Sequence, residues 1–168
     1  MKIYTIKMKF IFLVLLIFNA MSAFAADVVA DKVLIEKKAR RLTLFSQGQQ
    51  IKAYKVALGR NPVGLKEKEG DNKTPEGVYT IDSRNTKSHY HLSLHISYPS
   101  PQDIQRAKSQ GVSPGGNIMI HGLMNGFGWV GGFHRWLDWT KGCVAVTNPE
   151  IEEIARLVPN GTPVEIRP

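Results

Sequence analysis

The sequence predicts a mainly β domain, built as two packed sheets with two short helices. Residues 32–58 alternate between apolar and polar side chains and are rich in β-branched residues, as in half-buried strands. Short apolar segments bounded by Gly, Pro or Asn recur through the second half of the chain. Only two brief segments carry the start signals of a helix.

Three strands joined by tight turns are expected between residues 32 and 58, with the turns at residues 38–39 and 47–48. Their apolar positions are Val33, Ile35, Leu42, Leu44, Ile51, Tyr54, Val56 and Leu58. Residues 59–75 are rich in Gly, Pro, Asn and charged side chains and lack an apolar period, which predicts a long loop. Two further strands are predicted at residues 77–83 and 90–97.

The first helix is predicted after Ser100, whose hydroxyl can cap free amides, with Pro101 at the first helical position and Gly111 closing it. Two short strands at residues 117–121 and 142–146 follow.

The second helix is expected to begin at Asn148-Pro149-Glu150 by the same logic, with Asn148 as its cap. One face of it is apolar at i, i+3, i+4 and i+7, through Ile151, Ile154, Ala155 and Val158. Gly161 ends this helix, and residues 162–166 supply a last strand.

Residues 1–25 have the three parts of a secretory signal peptide. A basic start with three lysines precedes an apolar run at residues 10–18, and Ala23-Phe24-Ala25 forms a small-x-small cleavage site. The run is about half of the roughly 20 residues that a spanning helix needs, so cleavage before Ala26 is favoured over a membrane anchor. We therefore expect a soluble product in the periplasm, without stable membrane insertion after cleavage.

The expected mature domain, residues 26–168, is one unit with a hydrophobic core of its own. The formal charge of the whole chain is 22 − 14 = +8, and loss of the three lysines of the signal leaves 19 − 14 = +5. This charge would suit an acidic polymer. The export signal and the scattered basic residues argue against a nucleic-acid partner.

Cys143 is the one cysteine of the chain. Structural cysteines of exported proteins normally occur in pairs, so a single thiol is an inert buried side chain, an intermolecular disulfide partner or a reactive group. His121 ends one predicted strand, and Cys143 begins the next after a loop of about twenty residues. The two meet if these strands are neighbours in a sheet. A histidine that takes the proton of a thiol yields the thiolate that attacks carbonyls, and Gly142 lets the chain bend beside it.

This arrangement resembles the L,D-transpeptidase catalytic domain, also called the YkuD domain. Residues 120–122 read Ile-His-Gly, residues 140–148 read Thr-Lys-Gly-Cys-Val-Ala-Val-Thr-Asn, and residues 73–79 read Lys-Thr-Pro-Glu-Gly-Val-Tyr. These segments match the family's histidine, its Ser/Thr-x-Gly-Cys motif with a following Asn or Asp, and its Thr-Pro-x-Gly segment. Residues 97–99, Ser-Tyr-Pro, and residues 114–116, Pro-Gly-Gly, also look like its small single-domain exported members, and the resemblance covers roughly residues 31–167.

The resemblance implies a β-sandwich of mixed sheets that acts on peptidoglycan stem peptides through a cysteine thioester. Cys143 would be the nucleophile, His121 the base and the Gly122 carbonyl the group that orients His121. The backbone amides of Gly142 and Cys143 would bind the oxyanion. The thiol would attack the L-centre carbonyl of a diamino acid in a tetrapeptide, D-Ala would leave, and an amine would take the acyl group. Neither a metal nor an organic cofactor is implied.

Lys141 and Ala145 depart from the family's pattern, in which many members have histidine and arginine at these positions. Lys141 is expected beside the cleft, where it would hold the thiolate or a substrate carboxylate. The departures keep two reactions open. One is transpeptidation, which cross-links stems, attaches a wall-linked lipoprotein or exchanges a D-amino acid. The other is hydrolysis of wall peptides or lipoprotein–wall linkages by the same thioester. A non-catalytic wall-binding module is disfavoured, because a binder gains nothing from an oxidisable thiol.

Three histidines, His89, His91 and His95, recur with strand period and raise the alternative of a zinc site. Packing is the favoured interpretation, with His91 or His95 lining the substrate cleft, since no cysteine or carboxylate ligand is evident nearby. Thr140 either donates a hydrogen bond into the site or is an ordinary junction residue.

Five aromatic side chains crowd the glycine-rich loop before the cysteine: Phe127, Trp129, Phe133, Trp136 and Trp139. Most are expected to anchor this loop, while one or two, Trp139 in particular, contact substrate.

Overall fold

A computed structural model describes residues 28–168; the predicted signal peptide at residues 1–25 lies outside the described residues. Within residues 28–168 the chain forms eight strands and two α-helices. The strands are β1 Lys32–Glu36, β2 Arg41–Ser46, β3 Gln49–Lys55, β4 Gly77–Ser88, β5 His91–Ile96, β6 Met119–His121, β7 Val144–Ala145 and β8 Pro163–Arg167. The helices are α1 Pro101–Ser109 and α2 Asn148–Leu157. No helix of this part of the chain has the length and apolar composition to cross a membrane.

The three predicted N-terminal strands are confirmed as an antiparallel meander of β1, β2 and β3. Val33 lies opposite Leu44 and Ile35 opposite Leu42, and all four side chains are fully buried. The alternation of the sequence therefore places one face of this meander on the core. The first turn takes up a positive φ at Arg40, and the second does so at Gln47.

The mainly β class with mixed strand pairing is confirmed, and the strand order is β3-β2-β1-β8-β4-β5-β6-β7. β1 and β8 run parallel, as do β6 and β7, and the remaining pairs are antiparallel. Two packed sheets were expected, whereas the eight strands form one continuous hydrogen-bonded sheet. Its two halves share the long strand β4. Residues 77–80 of β4 pair with β8, and residues 81–88 pair with β5 across two register shifts.

The two edges of this sheet meet beyond β3. Ala57 N–H donates to Ala145 O at 3.0 Å, and Ala145 N–H donates to Ala57 O at 2.8 Å. This bridge joins the segment after β3 to β7 and turns the sheet back towards closure. The core lies inside the curve, and its fully buried members include Leu58, Ile81, Leu94, Ile96, Ile120, Ile151 and Ile154.

Both predicted helices form at the expected places. Ser100 caps α1 through a capping box with Asp103, and Pro101 takes the first turn. In α2 the cap is Thr147, whose hydroxyl and amide both contact the Glu150 carboxylate. The prediction that Asn148 is the cap is therefore wrong by one position, and this leaves the Asn148 side chain free for another partner.

A third helical segment, the 3-10 helix Gly128–Trp136, was not predicted. It breaks at Gly131, which has φ 51° and ψ −135°, so neither half repeats long enough to show a helical period in the sequence. The expected anchoring role of its aromatics is wrong for three of them. Trp129, Trp136 and Phe133 keep 81%, 79% and 67% of their surface exposed.

Candidate active site

His121 ends β6, and Cys143 immediately precedes β7, the strand that pairs in parallel with β6. Ile120 lies opposite Val144 and His121 opposite Ala145 in this register. The side chains of Ile120 and Val144 are fully buried in the core, and alternation therefore turns their sequence neighbours to the other face of the sheet. From this alternation we infer that His121 and Cys143, which immediately precedes β7, project to that face from neighbouring segments of the sheet.

The imidazole of His121 is held in one orientation. Its Nδ1 lies 2.7 Å from the carbonyl oxygen of Gly122, and a carbonyl can only accept, so Nδ1 carries the proton and Nε2 is left as a base. Only 3% of the residue is exposed, and this burial lowers the pKa of His121, although the hydrogen bond to Gly122 opposes it. The ring is therefore neutral at neutral pH.

Aromatic rings enclose this imidazole. The Tyr90 ring lies 4.5 Å from that of His121, and the Trp139 ring meets it edge-on at 5.7 Å. Trp139 is fixed in turn, because its indole Nε1 contacts Nδ1 of His134 at 3.4 Å and its carbonyl accepts from Arg60 Nε at 3.1 Å. Of the five loop aromatics, Trp139 is thus the one that packs against His121.

The thiol of Cys143 is partly buried at the start of β7. Its Sγ lies 3.5 Å from the carbonyl oxygen of Asn117. Burial raises the pKa of the Cys143 thiol, while a hydrogen bond from the Met119 backbone and the charge of Lys66 act to lower it. The resting groups are therefore a neutral thiol and a neutral imidazole.

Gly142 is required by the backbone. It has φ +131°, and a Cβ at this position would lie 2.7 Å from the carbonyl oxygen of Lys73. Its N–H donates to Thr140 Oγ1 at 3.1 Å, and the Thr140 hydroxyl donates to Cys143 O at 2.8 Å. The Gly142 amide is thus engaged within its own turn, contrary to the expectation that it faces an oxyanion. Thr140 likewise braces the turn rather than donating into the cleft.

The other predicted site residues are distributed around this pair. Lys141 is exposed on the turn before the cysteine. His95 lies opposite Met119 in the β5–β6 register and contacts Asp82 at 2.7 Å. His91 contacts Glu152 of α2 at 2.6 Å, so these two histidines meet different carboxylates. Among residues 28–168, no three His, Cys, Asp or Glu side chains are placed to hold one metal ion.

An apolar groove of about 330 Å³ adjoins the histidine side of the site. It is lined by Leu123, Met124, Phe127, Val130, His134 and Trp139. Burial, followed by the nearby charge of Arg135, lowers the pKa of His134 to about 4. The Nε2 atom of His134 is buried and has no hydrogen-bond partner among the described residues.

The Asn148 side chain links the start of α2 to the loop after His121 by a hydrogen bond. Its Oδ1 accepts from the Leu123 N–H at 2.8 Å, and its side chain approaches Gly122 and Gly128 closely. The sequence reasoning missed this contact, together with Tyr90, Asn117 and Lys66. A lone tyrosine, asparagine or lysine in a loop has no periodic or motif signal, so only the family's Asn or Asp after the cysteine pointed to Asn148.

Comparison with known proteins agrees with this geometry. The model of the L,D-transpeptidase catalytic domain, YkuD, matches residues 30–166, and the chain belongs to that family.

Among curated proteins, the chain is 30% identical over 133 residues to YafK of Escherichia coli strain K12, whose own L,D-transpeptidase designation is provisional. The match covers 75% of this chain and 46% of YafK, so the chain spans less than half the length of that relative.

Two solved structures are similar over most of the chain. The helical cell shape determining protein Pgp2 of Campylobacter jejuni superposes with a TM-score of 0.62 at 25% identity, covering 84% of this chain and 51% of Pgp2. Bd1075 of Bdellovibrio bacteriovorus gives a TM-score of 0.59 at 26% identity, covering 83% and 48%. The fold of residues 28–168 is that of the family.

Proposed function

We propose that this chain is a cysteine L,D-transpeptidase that acts on peptidoglycan stem peptides. The observation that carries the proposal is the relation of His121 to Cys143. A buried, neutral imidazole with its Nδ1 fixed on Gly122 O ends β6, and the thiol immediately precedes the strand that pairs with β6. In a chain of this family, that arrangement supports a thiol nucleophile with a histidine base.

Acylation begins with transfer of the thiol proton from Cys143 Sγ to His121 Nε2. The resulting thiolate attacks the carbonyl at the L-centre of the diamino acid in a tetrapeptide, and the carbon–oxygen electron pair moves onto oxygen. The Cys143 N–H is the candidate donor to this oxyanion, because it lies outside the β6–β7 ladder that begins at Val144. The histidinium then gives its proton to the departing D-Ala amine, and a thioester remains.

Deacylation reverses these roles. An amine gives its proton to His121 Nε2 while it attacks the thioester, and Cys143 leaves as the thiolate and recovers the proton. A second stem peptide, the lysine of a wall-linked lipoprotein or a free D-amino acid can serve as this amine. Water in the same place makes the enzyme a hydrolase of wall peptides or lipoprotein–wall linkages.

Two residues support contact with the substrate. Lys141 is exposed one residue before Gly142, so its ammonium can reach a stem carboxylate at the mouth of the site. Trp139 is half-buried between His121 and the apolar groove, where its ring can cover the acyl chain. We also propose export to the periplasm, on the sequence of residues 1–25.

Intact-mass spectrometry of residues 26–168 with a tetrapeptide stem tests the acyl-enzyme. Wild type should gain the mass of the tripeptide acyl group, and Cys143→Ala should gain none. His121→Gln should slow acylation by about 100- to 10,000-fold, the usual contribution of a positioned base. His89→Gln, which removes an exposed histidine of the turn between β4 and β5, is the matched control and should react as wild type does.

Acylated Cys143→Ala protein would overturn the mechanism. Adding an amine acceptor to the acyl-enzyme then separates the two outcomes of the thioester. A cross-linked or exchanged product supports the transpeptidase, whereas free tripeptide alone, with acceptors in excess, replaces it with the hydrolase.

A further inference from the structure

Lys66 is a buried lysine in the long loop between β3 and β4. Only 3% of the residue is exposed, which is rare for lysine unless it is paired. Its Nζ donates to Asp71 Oδ1 at 2.7 Å and to Lys68 O at 3.0 Å, and it lies 5.9 Å from the centre of the Tyr98 ring. The charge is thus held in one place by the protein.

Asp71 is the anionic partner of Lys66, and its carboxylate also accepts hydrogen bonds from backbone amides of the same loop. Besides Lys66, Oδ1 accepts from the Lys73 N–H at 3.0 Å. Oδ2 accepts from the Glu67 and Lys68 amides at 2.9 and 3.1 Å. Four donors on one carboxylate offset the cost of burying it and hold its pKa below the usual range, so the ion pair persists.

The loop held by this pair contacts both sides of the nucleophile. On one side, Lys73 O lies against the α-carbon of Gly142, immediately before Cys143. On the other, the Glu69 N–H donates to Ser113 O at 2.7 Å, in the segment that leads to Asn117. The carbonyl of Asn117 is the group that contacts Cys143 Sγ.

Tyr98 strengthens the second of these connections. Its hydroxyl donates to Pro114 O at 2.9 Å, and its ring faces the Lys66 ammonium. A displacement of Lys66 would therefore reach the thiol through the segment of residues 113–117 as well as through Gly142.

We propose that the buried Lys66–Asp71 pair positions Cys143 and that the Lys66 ammonium stabilises its thiolate from behind the site. The inference rests on the proposed function, since it gives the pair a part in forming the nucleophile. Lys66 acts through a fixed charge and through the loops, and it does not touch the substrate.

The Asp71 carboxylate, 2.7 Å from Lys66 Nζ, offsets part of the lysine's charge at the thiol. His121 on β6 is neutral at neutral pH for the reason given above, and Lys141 is exposed to solvent, which screens its charge. Lys73 contributes its backbone carbonyl to the contact with Gly142. Lys66 is therefore the cation whose charge lowers the pKa of Cys143 against the effect of burial.

The test is the pH dependence of Cys143 alkylation by iodoacetamide, followed by intact mass. The chain has one cysteine, so the signal is unambiguous, and the reaction needs no wall substrate. Lys66→Met, which keeps the length of the side chain without its charge, should raise the alkylation midpoint by about one pH unit, equivalent to roughly ten-fold slower reaction at pH 7. Lys66→Arg should restore the wild-type midpoint.

Two controls separate charge from structure. Lys68→Met removes an exposed lysine of the same loop and should leave the midpoint unchanged. Tyr98→Phe removes the bond to Pro114 and keeps every charge, so it should alter the alkylation rate at most, with the midpoint in place.

A midpoint in folded Lys66→Met equal to that of wild type would overturn the inference. A second set of results would also overturn the inference: Lys66→Met and Lys66→Gln both fail to fold, and Lys66→Arg folds but its midpoint differs from that of wild type. The pair would then be needed only to maintain the fold. If the midpoints move as expected but stems never acylate wild type, the inference about the thiolate stands and the proposed reaction fails.

Discussion

The carbonyl oxygen of Lys73 packs directly against the α-carbon of Gly142, leaving no room for a side chain there. A Cβ on Gly142 would approach this oxygen to 2.7 Å and the Ile118 side chain to 3.1 Å. The neighbouring Gly59 is equally confined, because its own Cβ would lie 2.1 Å from Asn72 O. Residues 72–74 therefore form the surface on which the turn before Cys143 rests.

Gly142→Ala should displace the nucleophile. The substitution combines a backbone conformation that L residues rarely adopt with a contact to backbone, and a strained residue costs about 1–3 kcal/mol. We expect acylation by a tetrapeptide to fall at least ten-fold and the midpoint of urea denaturation to drop.

Gly116→Ala is the matched control for this change. Its Cβ would meet nothing within 4 Å and its φ is not in the left-handed region, so stability and acylation should both stay near wild type. Normal acylation by Gly142→Ala would show that the turn tolerates rearrangement and that its geometry is not required.

Asn148 and Thr147 should have separable effects although they are adjacent. Asn148→Ala leaves the Leu123 N–H without its acceptor and loosens the segment after His121, so acylation should fall along with a loss of about 1–3 kcal/mol of stability. Thr147→Ala removes the cap of α2 and should cost about 1 kcal/mol with little change in acylation. If Thr147→Ala lost as much acylation rate as Asn148→Ala for the same loss of stability, the two residues would not have separate effects.

The fold was largely predictable because its signals are local. Alternation marks β1 to β3, and Ser100-Pro101 marks the start of α1 to within one residue. The continuity of the sheet was not predictable, since it depends on the two register shifts in β4 and on the bridge between Ala57 and Ala145. Both are contacts between distant residues, and they have no periodic signal in the sequence.

The site divides in the same way. The motif located His121 and Cys143, and the β6–β7 pairing puts the segments that carry them side by side. The motif does not predict the hydrogen bonds of the turn before Cys143. It contains Thr140 and Gly142, but it does not indicate that the Thr140 hydroxyl accepts a hydrogen bond from the Gly142 amide. The buried pair of Lys66 and Asp71 lies in a loop whose composition predicted only irregular structure.

The pH dependence of acylation should have its acid limb at lower pH than an ordinary histidine gives. His121 must be neutral to accept the thiol proton, and burial lowers its pKa from the usual 6.5. Rates of acylation by a stem should therefore stay high through pH 6.5 and decline only below it. His121→Gln should lose this limb along with most of the rate. A midpoint above 6.5 would contradict the neutral pair and favour an imidazolium–thiolate pair, in which both groups are charged at rest.

His134 should make the domain sensitive to acid. Its pKa is about 4 in the folded protein and near 6.5 when unfolded, so between these values the unfolded chain binds more protons. The stability contributed by the neutral ring is complete above pH 6.5 and is lost as the pH falls towards 4, up to a limit of about 3 kcal/mol.

His134→Gln cannot take up this proton and keeps an acceptor for the Trp139 indole, so its urea midpoint should change less than that of wild type between pH 7 and pH 5. His89→Gln, which removes an exposed histidine of the turn between β4 and β5, should follow wild type over the same interval. Parallel pH profiles for His134→Gln and wild type would show that the buried imidazole is not what the acid destabilises.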